Sequence, residues 1–128
     1  MDPISNMIVM IKNASDSRKE SVVFPYSKIK VAILELLQKE GFIKSFGKKG
    51  KKVVKFIEVV LSYDGKEARI NGVKRVSKTS KRVYFGSKEI KKVKNGMGSL
   101  IMSTPKGIMT DKMAREAKVG GEALFEIW

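Results

Sequence analysis

A single apolar stripe opens the chain. Ile4, Met7, Ile8, Ile11 and Ala14 recur at three- and four-residue spacing, which predicts one buried helix face with Lys12 lying off it. Asp2 and Pro3 supply an N-cap and a first helical residue, and Ser15-Asp16-Ser17 a stop. A short strand is expected over 21–24, halted by Pro25. Ser27 then caps a second helix whose stripe is Ile29, Ala32, Ile33, Leu36 and Leu37, and Gly41 ends it. Strands are expected over 42–46 and 53–61, the second nearly continuous in β-branched and aromatic residues, joined by a glycine- and lysine-rich loop over 47–52. Asp64-Gly65 and Asn71-Gly72 read as hairpin turns around a strand over 67–70.

Around 71–76 the pattern changes from helix-containing to strand-dominated. Strands are expected over 73–77 and 82–85, the second with Val83 and Phe85 on one face and Tyr84 on the other. Ile90 and Val93 anchor a short basic segment leading to Asn95-Gly96. A buried strand over 100–102 stops at Ser103-Thr104, and Pro105-Lys106-Gly107 forms a turn. Thr110-Asp111 caps a short helix bearing Met113, Ala114 and Ala117, and Gly120-Gly121 releases the chain into a last strand over 122–128. The expected fold is α+β: two small α/β subdomains packed together, an N-terminal α-β-α-β-β unit over 1–72 and a β-rich unit with one short helix over 73–128.

Composition narrows the function classes. The 128 residues include no cysteine and no histidine, which removes disulfides and the usual zinc, haem and iron–sulfur ligand sets. No apolar run is long enough to span a bilayer and no leader is visible, so a soluble protein with no membrane partner is expected. Against 13 acidic residues stand 27 lysines and arginines, a net charge of +14 that favours a polyanionic partner.

The charge is uneven. Nine basic residues and one acid lie between 74 and 94, and six lysines with no acid between 44 and 55, whereas 96–128 carries four of each sign. The lysine loop is either a solvated tip or a phosphate-contacting finger. Lys28 and Lys30 lie in a helix first turn, where the dipole disfavours cations: they are either simply solvated or compensated by an external anion. Tyr84, on a face with Arg82 and lysines, is a candidate stacking platform for an exposed base.

Catalytic chemistry finds little purchase. Gly96-x-Gly98 lacks the third glycine of a dinucleotide fingerprint. Ser103, Thr104 and Lys106 could be cast as nucleophile and base, but nothing supplies an orienting third group. Among the acids of the tail only Glu122, beside two glycines, stands out. Facing a polyanion it would accept hydrogen bonds from a base, a 2′-OH or a nearby protein donor. No enzyme activity, metal or cofactor is expected.

Longer motifs say more. Gly96-Met97-Gly98, Ser103-Thr104-Pro105-Lys106-Gly107, Thr110-Asp111 with Ala114-Arg115, and Gly120-Gly121-Glu122 ending at Trp128 resemble the small-subunit ribosomal protein eight family in its bacterial or organellar form. The likeness continues upstream in Asp2-Pro3-Ile4, Ile11-Lys12-Asn13-Ala14, Ser27-Lys28-Ile29-Lys30, Glu40-Gly41-Phe42-Ile43, Arg75-Val76-Ser77-Lys78 and Arg82-Val83-Tyr84, and so spans the whole chain.

The resemblance implies binding to the central domain of small-subunit ribosomal RNA during early assembly, with neighbouring ribosomal proteins as further partners. It implies a location in a cytoplasmic or organellar ribosome. Repression of the protein's own messenger RNA could coexist, and an RNA-processing enzyme is the remaining alternative. Carried onto this sequence, the implied RNA-binding residues are Ser103, Thr104, Pro105, Lys106, Tyr84, Gly120, Gly121, Glu122, Lys78 and Arg82, with Lys12, Lys28 and Lys30 touching a second part of the RNA. Three positions depart from the family pattern: Pro105 stands where serine is usual, Thr79-Ser80 where Pro-Gly is common, and Lys91 or Lys92 where a proline is often found.

Overall fold

The computed structural model describes residues 3–50 and 55–128, which form two compact units, 3–71 and 72–128. The expected cap Asp2, the loop residues Lys51 and Lys52, and Val53 and Val54 at the start of the expected strand lie outside the described residues.

In the first unit, helix α1 (Pro3–Asp16) buries Ile4, Met7, Ile8, Ile11 and Ala14, the stripe its spacing predicts. Arg18, at φ 56°, ends the helix: the Arg18 and Lys19 N–H groups donate back to the Ser15 and Ala14 carbonyls. Strand β1 (Ser21–Pro25) leads to α2 (Lys28–Lys39), whose N-cap Ser27 accepts the Lys30 N–H at 3.3 Å. Gly41, at φ +82°, stops α2 as expected. Its buried stripe, however, is Lys30, Ile33, Leu34, Leu36 and Leu37, and Ile29 is 40% exposed. The helix is rotated from the expected register because Leu34 fills the core better than Ala32 can.

Strands β2 (Ile43–Gly50) and β3 (Lys55–Leu61) complete an antiparallel sheet in the order β1-β3-β2. Residues 47–50, expected in a loop, continue the strand: Gly47 through Gly50 pair with Glu58 through Lys55. Cross-strand pairing outweighs the glycine-lysine turn signal here, helped by a Lys49–Glu58 ion pair at 2.8 Å. Burial alternates along β3, with Ile57, Val59 and Leu61 turned into the core. A two-stranded hairpin, β4 (Tyr63–Asp64) and β5 (Glu67–Ala68), closes the unit over the expected Asp64-Gly65 turn. The Tyr63 hydroxyl donates to the Lys19 carbonyl. Burial raises the Tyr63 pKa above its ordinary value, opposed by the nearby Arg18 charge.

Asn71-Gly72 is not a hairpin turn. Gly72 exchanges both backbone hydrogen bonds with Trp128, at 3.1 and 3.0 Å, and a Cβ there would collide with the Trp128 ring. The second unit is an antiparallel sheet in the order β6-β10-β8-β9: β6 (Val73–Arg75), β8 (Ser99–Thr104), β9 (Gly107–Thr110) and β10 (Gly121–Ile127). Strand β7 (Tyr84–Phe85) also pairs with β10, farther toward its start. β9 was not foreseen, because Ile108 and Met109 are too few to read as a strand without their partners Ser103 and Met102. Helix α3 (Asp111–Ala117) follows, capped as expected by the Thr110 side chain, which accepts the Met113 N–H at 3.2 Å. Asp111 is buried, accepting from the Leu100 N–H at 3.1 Å and from Arg115 at 2.8 Å. Ile90, Val93, Leu100, Met102, Met109, Ala114 and Ala123 form one hydrophobic cluster of this unit, while Ile101, Leu124, Phe125 and Ile127 are also buried. The mixed α+β class and element order agree with the sequence reading, with β9 added.

Candidate nucleic-acid interface

β10 organises the site. Tyr84 on β7, Glu122 on β10, Ser103 on β8 and Ile108 on β9 lie directly opposite one another in successive antiparallel pairs. Opposed residues share a face, so the four form one row across the sheet. Tyr84 is 66% exposed at one end of it, while Val83 and Phe85 turn into the core. Tyr84, Glu122 and Ser103, chosen separately along the sequence, are thus brought together.

Glu122 has protein donors. Its Oε2 accepts from the Ser77 hydroxyl and from Arg82 Nη1, the latter at 3.1 Å, and its side chain is 16% exposed. Ser77 is fully buried and its oxygen also accepts the Val83 N–H at 3.1 Å. This chain of bonds ties both ends of the 77–83 excursion to β10. The excursion closes on itself through Lys78 and Lys81, whose backbones exchange hydrogen bonds at 2.8 and 3.0 Å around Thr79-Ser80. The turn is tight without the Pro-Gly of the family pattern. Ser77 was not singled out from sequence. Its one visible signal is a small hydroxyl in a basic, β-branched stretch, which alone points to nothing.

Gly120 and Gly121 serve the sheet. A Cβ on Gly121 would run into the Ser103 carbonyl and lie 3.0 Å from Thr104 Cα, and one on Gly120 would lie 2.9 Å from Gly86 Cα. Both let β10 approach its neighbours closely, which in turn seats Glu122 between Tyr84 and Ser103.

The β8–β9 hairpin forms the rim beside the row. Thr104 pairs with Gly107, leaving Pro105-Lys106 as a two-residue connection. Pro105 suits the first central position of a type I turn, Lys106 stays at negative φ, and Gly107 takes the left-handed value of +118°. Thr104 is nearly buried: its hydroxyl donates to the Gly107 carbonyl at 2.8 Å and accepts the Lys106 N–H at 3.2 Å. Its hydroxyl therefore locks the turn through two backbone partners. Ser103 is half-buried and, among the described residues, its hydroxyl has no protein partner. Pro105 and Lys106 are exposed.

The N-terminal candidates separate. Lys12 is paired with Asp16 one helical turn on. Lys30 is buried, its ammonium donating to the Pro25 carbonyl at 3.0 Å and lying 5.5 Å from the centre of the Phe24 ring. Its ammonium is thus engaged by the end of β1 and the Phe24 ring. Lys28 is exposed. No group of three or more acidic, histidine or cysteine side chains among the described residues could hold a metal ion.

A family model described as Ribosomal protein S8 matches residues 2–128. The chain belongs to the ribosomal protein S8 family. It is 52% identical over 128 residues to the small ribosomal subunit protein uS8 of Mycoplasmopsis synoviae strain 53, covering 99% of this chain and 97% of that one. The proteins of the same name from Dictyoglomus thermophilum and Geobacter sulfurreducens are 50% and 48% identical over 127 and 128 residues, with the same shares covered. Ribosomal protein S8 is a ribosomal component and not an enzyme, which agrees with the sequence reading.

Proposed function

We propose that this chain, as a structural constituent of the small ribosomal subunit, binds the central domain of small-subunit ribosomal RNA and helps that domain assemble. The observation that carries the reading is the row Tyr84–Glu122–Ser103 with its rim at Pro105-Lys106. It sets an exposed aromatic face and an open hydroxyl on one rigid surface. RNA recognition uses these groups: bases stack on aromatic rings, and short polar side chains reach 2′-OH groups and base edges in a wide, shallow minor groove. Glu122, between Tyr84 and Ser103 on the same face, orients Arg82 through an ion pair. The lysines over 74–94 add sequence-independent attraction.

The test is binding of the full chain to a fragment of the central domain, titrated against salt. Tyr84→Ala should weaken that fragment by roughly 1–3 kcal/mol, the worth of one base stacked on an aromatic ring, and leave the salt slope unchanged. Equal weakening for the fragment and for an unrelated RNA would overturn the division between fit and charge. Cosedimentation with small ribosomal subunits after a high-salt wash checks the assembly role, and release by the wash would count against it.

A further inference from the structure

The sheet of the first unit carries a second constellation that the resemblance does not supply. Phe24, Ile57 and Lys48 lie opposite one another across β1, β3 and β2, so they share one face, the one on which Lys30 of α2 overlies Phe24. The next position along that face is Tyr26, whose N–H continues the ladder to the Lys55 carbonyl at 3.1 Å. Here the buried apolar column runs out into solvent: Phe24 is buried and Tyr26 half-exposed. The Lys48 ammonium lies 4.7 Å from the centre of the Tyr26 ring and the Lys55 ammonium 5.9 Å from it.

Each contact is a favourable cation–π interaction. Together they gather two like charges, from different strands, at one ring. Among the described residues neither lysine has a carboxylate partner, and the neighbouring Glu58, on the opposite face, is taken by Lys49. Lys28 stands exposed two residues beyond Tyr26. Concentrated, preordered and uncompensated positive charge is relieved by an anion. We infer that Tyr26, Lys48 and Lys55 form a clamp for a phosphate of the RNA backbone, with Tyr26 as the positioning residue and the two ammoniums as the contacts. This rests on the RNA-binding reading above, and it moves the N-terminal contact away from Lys12 and Lys30, whose ammoniums are engaged within the protein.

The experiment uses the full chain, the central-domain RNA fragment and a salt titration, with Tyr84→Ala as reference. Lys48→Gln/Lys55→Gln should lower the slope of log affinity against log salt by about 0.7–0.9 for each phosphate that is no longer neutralised. Tyr26→Phe keeps the ring and should bind as the unaltered chain does. Tyr26→Leu should weaken binding roughly threefold to tenfold, since the lysines must then be ordered on binding. If the Tyr26 and lysine variants all keep the original slope and affinity while Tyr84→Ala loses affinity, the clamp is overturned and the main reading stands. If Tyr26→Leu lowers the melting temperature but leaves binding untouched, the ring is only a surface stabiliser and the clamp is likewise overturned. If Tyr84→Ala has no effect while the Tyr26 and lysine variants lose binding, the clamp holds and the reading of the second unit falls.

Discussion

Ser77→Ala is the most incisive perturbation of the second unit. The Ser77 side chain is fully buried and serves two partners, accepting the Val83 N–H at 3.1 Å and donating to Glu122 Oε2. Removing the oxygen leaves a partly buried N–H unsatisfied, about 1–3 kcal/mol, and takes a hydrogen bond from a carboxylate, about 1.5–3 kcal/mol. The two losses overlap, because Glu122 keeps Arg82 and some access to water, so a total of about 2–4 kcal/mol is expected. The Arg82–Glu122 pair is half-exposed on the arginine side and contributes only about 0.2–1 kcal/mol. Glu122→Gln should therefore cost less than Ser77→Ala, and the two should couple by about 0.5–3 kcal/mol in a double-mutant cycle. Urea unfolding measures both, provided the slope with denaturant is unchanged by the substitutions. A Ser77→Ala cost below about 0.5 kcal/mol, the level of an ordinary surface change, would refute the idea that this network holds the 77–83 excursion on β10.

Two further outcomes follow from the geometry. Thr104→Ala frees the Lys106 N–H and the Gly107 carbonyl at an exposed hairpin tip, where water can replace the hydroxyl, so stability should fall by only about 0.5–1.5 kcal/mol. Affinity for the central-domain fragment should fall with it and return in Thr104→Ser, which keeps both bonds; calorimetric titration of the three proteins decides this. Lys118 ends α3 in the left-handed conformation at φ 57°, a position glycine fills without strain. Lys118→Gly should raise the urea midpoint by an amount worth about 0.5–1 kcal/mol, the relief of strain less the added freedom of the unfolded chain.

How much of this was legible in the sequence depended on whether a signal was local. The α1 stripe, the Ser27 and Thr110 caps and the Gly41 stop are local and came through. The extension of β2 through Gly50 and the strand at 107–110 depend on cross-strand partners in the neighbouring strand, and the pairing of Gly72 with Trp128 on a partner at the far end of the unit, so turn signals misread all three. The α2 stripe erred because Ala32 and Leu34 fit the same periodicity and only packing chooses between them. At the site, the fold brings some of the candidate residues together on one face and engages others within the protein. Tyr84 stands exposed as its strand alternation required. Thr104, Lys30 and the two glycines turned out to be occupied with the protein's own backbone, which no single position reveals. Tyr26 went unnoticed because the lysine nearer its ring is 22 positions away in sequence, on β2.

β10 pairs with β6, β7 and β8, and all three precede it in the chain. During synthesis the ribosome therefore delivers every flank of this sheet before its centre. Until residues 121–127 have emerged, β8 and β9 can form a hairpin, but β6 and β7 have no strand to lie against and Ser77 has no Glu122 to bind. The contacts that close the unit span large sequence separations, with the entropic cost that slows such pairings. The row of Tyr84, Glu122 and Ser103 thus comes into existence at the last step of the unit's folding. A partially made chain carries the positive charge of 74–94 without the surface proposed to give that charge its selectivity.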